Sequence, residues 1–110
     1  MTTSPYELPI PVAAALEAAS AWNTEDFLVA FADDGVVDDW GREFRGREAI
    51  RGWSDAEFIG KRVTLRVTGV RTEGDTTTVS AEVGGEGFNG PSDFVFTVAG
   101  DRVVLMAIAG

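Results

Sequence analysis

Lys61-Arg62-Val63-Thr64-Leu65-Arg66-Val67-Thr68 decides the fold of this chain, because within it the apolar residues begin to recur at every second position. Val63, Leu65 and Val67 alternate with Arg62, Thr64, Arg66 and Thr68, the pattern of a strand with one buried and one wet face. The period of two then persists. Glu73-Gly74-Asp75 reads as a tight hairpin turn, followed by a threonine-rich strand carrying Val79, Ala81 and Val83. The glycine-rich run Gly84 to Gly90 closes the next connection; it lacks the spacing and following helix of a phosphate loop. Residues 92–99 and 101–109 form a final hairpin around Gly100-Asp101. From Val103 onward this last strand is apolar on both faces, as in a strand that lies mid-sheet or lines a cavity.

Before the change of period the spacing is helical. Pro9 and Pro11 can start a helix, and Val12, Leu16, Ala19 and Trp22 then recur along one face, which predicts a helix over 10–22. Asn23 or Thr24 reads as an N-cap with Glu25 and Asp26 in the first turn. Phe27, Leu28 and Phe31 form the apolar stripe of a short second helix ended by Asp33-Asp34-Gly35. Brief strands are expected over 36–40 and 43–45, with a turn at Gly41. Gly46-Arg47-Glu48-Ala49-Ile50 opens a third helix running to about Phe58, with Ile50, Trp53 and Phe58, and Glu57 beside them, on its buried side. Three helices followed by four long strands is the order of an α+β domain whose curved antiparallel sheet wraps around the helices as a cone. The open end of such a cone is where a small molecule would go.

The chain of 110 residues fits one domain over 1–110, with 1–8 as a leader. Its 18 acidic and 9 basic residues give a net charge of −9, which repels phosphate backbones and anionic bilayers, so neither nucleic acid nor membrane is an expected partner. Cysteine and histidine are both absent. Disulfides, thiolate metal sites, the usual zinc ligand and the usual general base are thereby excluded, and no metal or cofactor is expected. Any proton transfer must fall to carboxylates. The segment Met-Thr-Thr-Ser-Pro-Tyr-Glu has no basic n-region, and Glu17 interrupts the apolar run from Val12 to Ala21, so a soluble cytoplasmic protein is expected.

Phe31-Ala32-Asp33-Asp34-Gly35-Val36-Val37-Asp38-Asp39, then Gly46-Arg47-Glu48-Ala49-Ile50-Arg51, then the last hairpin resemble the nuclear transport factor 2-like superfamily, in its SnoaL-like and steroid Δ-isomerase-like branches. The resemblance covers residues 13–109 and implies a cystatin-like α+β roll, a pocket for an apolar carbonyl compound, and a homodimer formed through the sheet. In the isomerase branch the general base lies five residues beyond the aspartate pair, which falls on Asp39. The oxyanion-side carboxylic acid falls on Asp93, ten residues before Val103. The family's tyrosine donor would fall on Ala15 and a supporting tyrosine on Ser54; the single tyrosine is Tyr6. The histidine of SnoaL-type cyclases has no counterpart.

Asp39 and Asp93 are thus the candidate catalytic pair, the first moving a proton next to a carbonyl, the second, as the neutral acid, stabilising the enolate oxygen. Trp40, Trp53, Val95, Met106 and Ile108 are the candidate substrate-binding residues, Trp40 also as an N–H donor in place of the missing tyrosine. The plainer reading makes Asp39 a strand-end carboxylate bound by Arg42 or Arg45, Asp93 a surface residue after the Asn89-Gly90-Pro91 turn, and the apolar residues core. The function implied is an isomerase- or cyclase-type enzyme, the alternative a non-catalytic binding or dimerisation module of the same fold.

Overall fold

The computed structural model describes residues 7–109. Tyr6 and most of the expected leader lie outside the described residues; Leu8, at the leader's end, packs against the core. Helix α1 (Ile10–Ser20) starts behind Pro9, with Pro11 in the first turn, where the N–H it lacks would have had no helical partner. It buries Val12, Ala15, Ala18 and Ala19 and stops short of the expected Trp22, which takes a left-handed φ of 56°. Helix α2 (Thr24–Val29) is capped by Asn23, whose Oδ1 accepts the Asp26 N–H at 3.0 Å.

The second helix ends at Val29, and the first strand begins where the sequence had suggested that helix continued. β1 (Phe31–Asp39) takes in Phe31 because Val103 of the last strand pairs with it, and the Val103 N–H donates to Ala30 O at 2.8 Å. Between Phe31 and Val36 the ladder shifts register, and there Asp33 and Asp34 stand exposed. An Asp-Asp-Gly run reads as a helix stop, but here it is a strand irregularity. β2 (Arg42–Arg45), α3 (Arg47–Glu57) and a 3-10 turn (Ile59–Lys61) follow. β3 (Thr64–Glu73), β4 (Thr76–Gly84), β5 (Gly90–Ala99) and β6 (Arg102–Ala109) complete the chain.

The strands form one curved, unclosed sheet in the order β2-β1-β6-β5-β4-β3. Every neighbouring pair is antiparallel except β1 with β6, which run parallel, so the sheet is mixed rather than wholly antiparallel. β6 is internal, which explains its apolar residues on both faces. The helices cover the concave face, where Phe27, Phe31, Ile50, Phe94, Phe96 and Met106 are fully buried. Burying each such side chain contributes about 1.5–3 kcal/mol, and Phe27 meets Phe31 edge-on at 5.1 Å and Phe58 at 5.6 Å.

Alternation along β5 assigns its two faces. Ser92, Phe94 and Phe96 are buried on the concave side, whereas Asp93 is exposed on the other. Among the described residues no helix is long and apolar enough to cross a membrane.

Candidate functional site

At one end of the concave face, between α3, the ends of β1 and β6, and the connection from β4 to β5, lies a cavity of about 310 Å³. Trp53, Phe58, Val63, Phe94 and Ile108 make its apolar floor, with the Trp53 and Phe58 rings stacked 4.9 Å apart. Trp40, Glu57, Lys61 and Phe88 are exposed and form the rim. Among the described residues, no group of three or more His, Cys, Asp or Glu side chains could hold a metal ion.

Asp39 is the last residue of β1, on the concave face opposite Phe44's strand and beside Ile108 of β6. Its side chain is 16% exposed. Oδ2 accepts the Trp53 indole N–H at 3.1 Å and a guanidinium N–H of Arg42 at 2.5 Å; both contacts fall on Oδ2, leaving Oδ1 outside them. Arg42 reaches on to Glu57 of α3 with two further bonds, 3.0 and 2.7 Å. One guanidinium thus ties β1, β2 and α3 together at the cavity. Its charge holds the Glu57 carboxyl below the usual carboxylate value, chiefly through these hydrogen bonds, and the two carboxylates raise Arg42 in turn, Glu57 most. Glu57, expected beside the buried face of the third helix, is instead a rim residue paired with Arg42.

Trp40 lines the cavity from the turn between β1 and β2, Trp53 from α3 and Ile108 from β6. Asp93 does not. It pairs with Ser80 and Ala109 on the convex face and accepts the Ser80 hydroxyl at 2.7 Å, so it is a surface aspartate, as the plainer reading had it. The reason is the side-chain period: Phe94 and Phe96 fill the concave face, and an odd step from either turns outward. Val95 is corrected for the same reason. Met106 faces inward but is buried in the core away from the cavity. Ala15 and Ser54, where the family resemblance would put tyrosines, are both buried in the helical core, and Ser54 Oγ accepts the Ile59 N–H at 3.4 Å.

The cavity gains a polar group that the sequence reading passed over. Ser92 is 5% exposed and lines the cavity one residue before Asp93. From the sheet register, about two strand spacings and two residues separate the Cα atoms of Asp39 and Ser92, roughly 12 Å in a flat sheet. That leaves room for one small ligand between them. Lys61 and Phe88 were also missed, although Lys61 is the single lysine in the chain.

A model of the SnoaL-like domain matches residues 12–106. No curated protein matches the chain. Among solved structures, a protein from Sinorhizobium meliloti provisionally named a polyketide cyclase aligns with a TM-score of 0.85 at 28% identity, covering 93% of this chain and 95% of that one. A protein of ketosteroid isomerase-like fold from Catenulispora acidiphila, in complex with trimethylamine, aligns at 0.80 and 26% identity, covering 94% of this chain and 87% of the other. A Mycobacterium tuberculosis protein in complex with estradiol-17beta-hemisuccinate shares the fold at 0.78 and 17% identity, covering 94% and 95%.

Proposed function

The chain belongs to the SnoaL-like domain family, and from that premise we propose that its cavity holds a small, mostly apolar carbonyl compound on which Asp39 acts as general base. The observation that carries this reading is a carboxylate fixed through one oxygen by Arg42 and Trp53 at the edge of an aromatic-floored cavity. A volume near 310 Å³ falls at the small end of the range for ligand sites. The Mycobacterium tuberculosis neighbour of the same fold is in complex with estradiol-17beta-hemisuccinate, an apolar ring system that carries an ester and a free acid.

In this mechanism Asp39 Oδ1 takes a proton from the carbon next to the carbonyl, and the resulting enolate oxygen receives a hydrogen bond from the Ser92 hydroxyl. The protonated Asp39 then returns the proton to another carbon of the same molecule, so the step is an isomerisation with no co-reactant. Ser92 replaces the carboxylic acid expected at Asp93, and a neutral hydroxyl is a weaker donor than a carboxylic acid. The test is turnover of a β,γ-unsaturated ketone by the wild type and by Asp39→Asn. Loss of roughly 10²-fold or more in rate is the expected result for removal of a general base; unchanged turnover would overturn the mechanism.

A second reading, a non-catalytic ligand-binding module, is favoured by Asp93 on the convex face and Ala15 in the core. Ligand binding without turnover by the wild type would select it. The reading also includes a soluble, cytoplasmic single domain that pairs with a second copy through the convex face, where Val36, Val95, Leu105 and Ala107 adjoin across β1, β6 and β5. A monomeric mass by light scattering at micromolar concentration would remove the dimer.

A further inference from the structure

We infer that Lys61 sets the ligand's polarity: the compound held in the cavity carries an acidic substituent at its outer end, which the Lys61 ammonium receives at the rim. The inference rests on the ligand-binding reading above and deepens it. Three side chains lining the cavity are charged, Asp39, Glu57 and Lys61. Both carboxylates are already engaged by Arg42, through three hydrogen bonds. Lys61 has no carboxylate within ion-pair distance among the described residues. Arg45 and Arg66 share that condition but stand on the convex face, beside Val36 and Glu82 respectively. Among the described residues, the charge of the cavity left uncommitted is therefore positive, in a chain whose net charge is −9.

The stem of Lys61 is held while its end is free. Its N–H donates to Phe58 O at 3.1 Å and its carbonyl accepts the Glu86 N–H at 2.8 Å, so the backbone is fixed between the end of α3 and the β4–β5 connection. A Cβ added to Gly87 would meet the Lys61 Cβ and Cγ at 3.3 Å, so the glycine leaves the stem its channel beside the rim. Glu86 itself points to Arg62, with 3.7 Å between the charged atoms, and does not occupy the ammonium. A lysine tethered at the base and unpaired at the tip can complement an anion without first breaking an internal ion pair. The ligand class is an apolar ring system ending in a carboxylate.

The experiment is calorimetric titration of the full chain with 2-naphthylacetate and with its uncharged methyl ester, at low and high salt. The acid should bind about 3- to 5-fold more tightly than the ester, the size expected of one solvent-exposed ion pair, and the preference should shrink with salt. In Lys61→Gln the two should bind equally, whereas Lys61→Arg should keep the preference. Equal binding of acid and ester to the wild type, or a preference that survives Lys61→Gln, overturns the role of Lys61 and leaves the ligand-binding reading standing. Binding of neither compound overturns both.

Discussion

The Trp53 indole N–H donates to Asp39 Oδ2 over 3.1 Å, joining the middle of α3 to the last residue of β1. The bond leaves the same oxygen in contact with Arg42, so the orientation of the carboxylate depends on three elements at once. Such a group is positioned before any ligand arrives, which a general base requires.

Acid should loosen this arrangement. Arg42 holds the Glu57 carboxyl below its usual value, and Arg51, bound to Glu25, does the same there. Groups whose folded pKa is depressed stabilise the fold above their unfolded value, near 4.5, and that contribution is lost as the pH falls through the folded value. The urea midpoint of the wild type should therefore hold through neutral pH and drop below about pH 4.5. Arg42→Ala should lower the midpoint at pH 7, and its difference from wild type should vanish at a pH where Glu57 is protonated. A difference that persisted undiminished in acid would remove the ion pair as its cause.

Trp40 pulls stability and ligand contact in opposite directions. With Gly41 it forms a two-residue turn in which both φ angles are positive, 56° and 91°, a geometry that favours Asn-Gly. A tryptophan held there costs roughly 1 kcal/mol relative to a residue suited to it. Trp40→Asn should raise the thermal midpoint and weaken binding of an apolar ligand. Both changes are read from one sample, by calorimetric scanning and titration.

Two glycines should respond to alanine in opposite senses. A Cβ on Gly60 would fall 1.7 Å from Asp55 O, a backbone atom, so Gly60→Ala must displace the turn after α3 and should cost about 1–3 kcal/mol. Gly52 lies exposed within α3 with nothing within 4 Å of its added Cβ, and Gly52→Ala should stabilise by about 0.5–1 kcal/mol. Chemical denaturation of the two variants checks both.

Ser92 and Asp93, adjacent in sequence, should differ in function. Ser92→Ala removes the hydroxyl inside the cavity and should slow turnover by up to about 10²-fold, the scale for loss of one oxyanion donor. Asp93→Ala should leave the rate unchanged, because its carboxylate lies on the convex face with Ser80. Equal effects would deny Ser92 a part in the reaction.

The α+β order and most of the architecture were legible in the residues because each device is local: proline at the start of α1, Asn23 as a cap, the change of period beyond Lys61. The start of β1 was not, since Phe31 joins a strand only through Val103, far along the chain. Within the cavity, Asp39 and Ile108 follow from the family register and Trp40 from its place beside Asp39, whereas Trp53 reads from sequence equally well as core. Asp93 stands outside the cavity because the polar face of β5 is the convex one. Phe94 and Phe96 carried the opposite signal: large aromatics seek the concave side, and the cavity shares it. Ser92 shares that concave face by the same alternation, whereas Glu57 and Lys61 acquire their places from contacts between α3, β2 and the β4–β5 connection, which no spacing within one segment reveals.

The parallel pairing of β1 with β6 also has a meaning for biosynthesis. β6 is the bridge between β2-β1 and β5-β4-β3, yet it is the last strand made. Until it emerges, a growing chain can form the β1–β2 hairpin and the β3–β4–β5 meander only as separate pieces, each with an unpaired edge open to other chains. Joining the two pieces into one sheet therefore waits on β6. Interrupting translation before Arg102 should yield an aggregation-prone polypeptide rather than a smaller version of the fold.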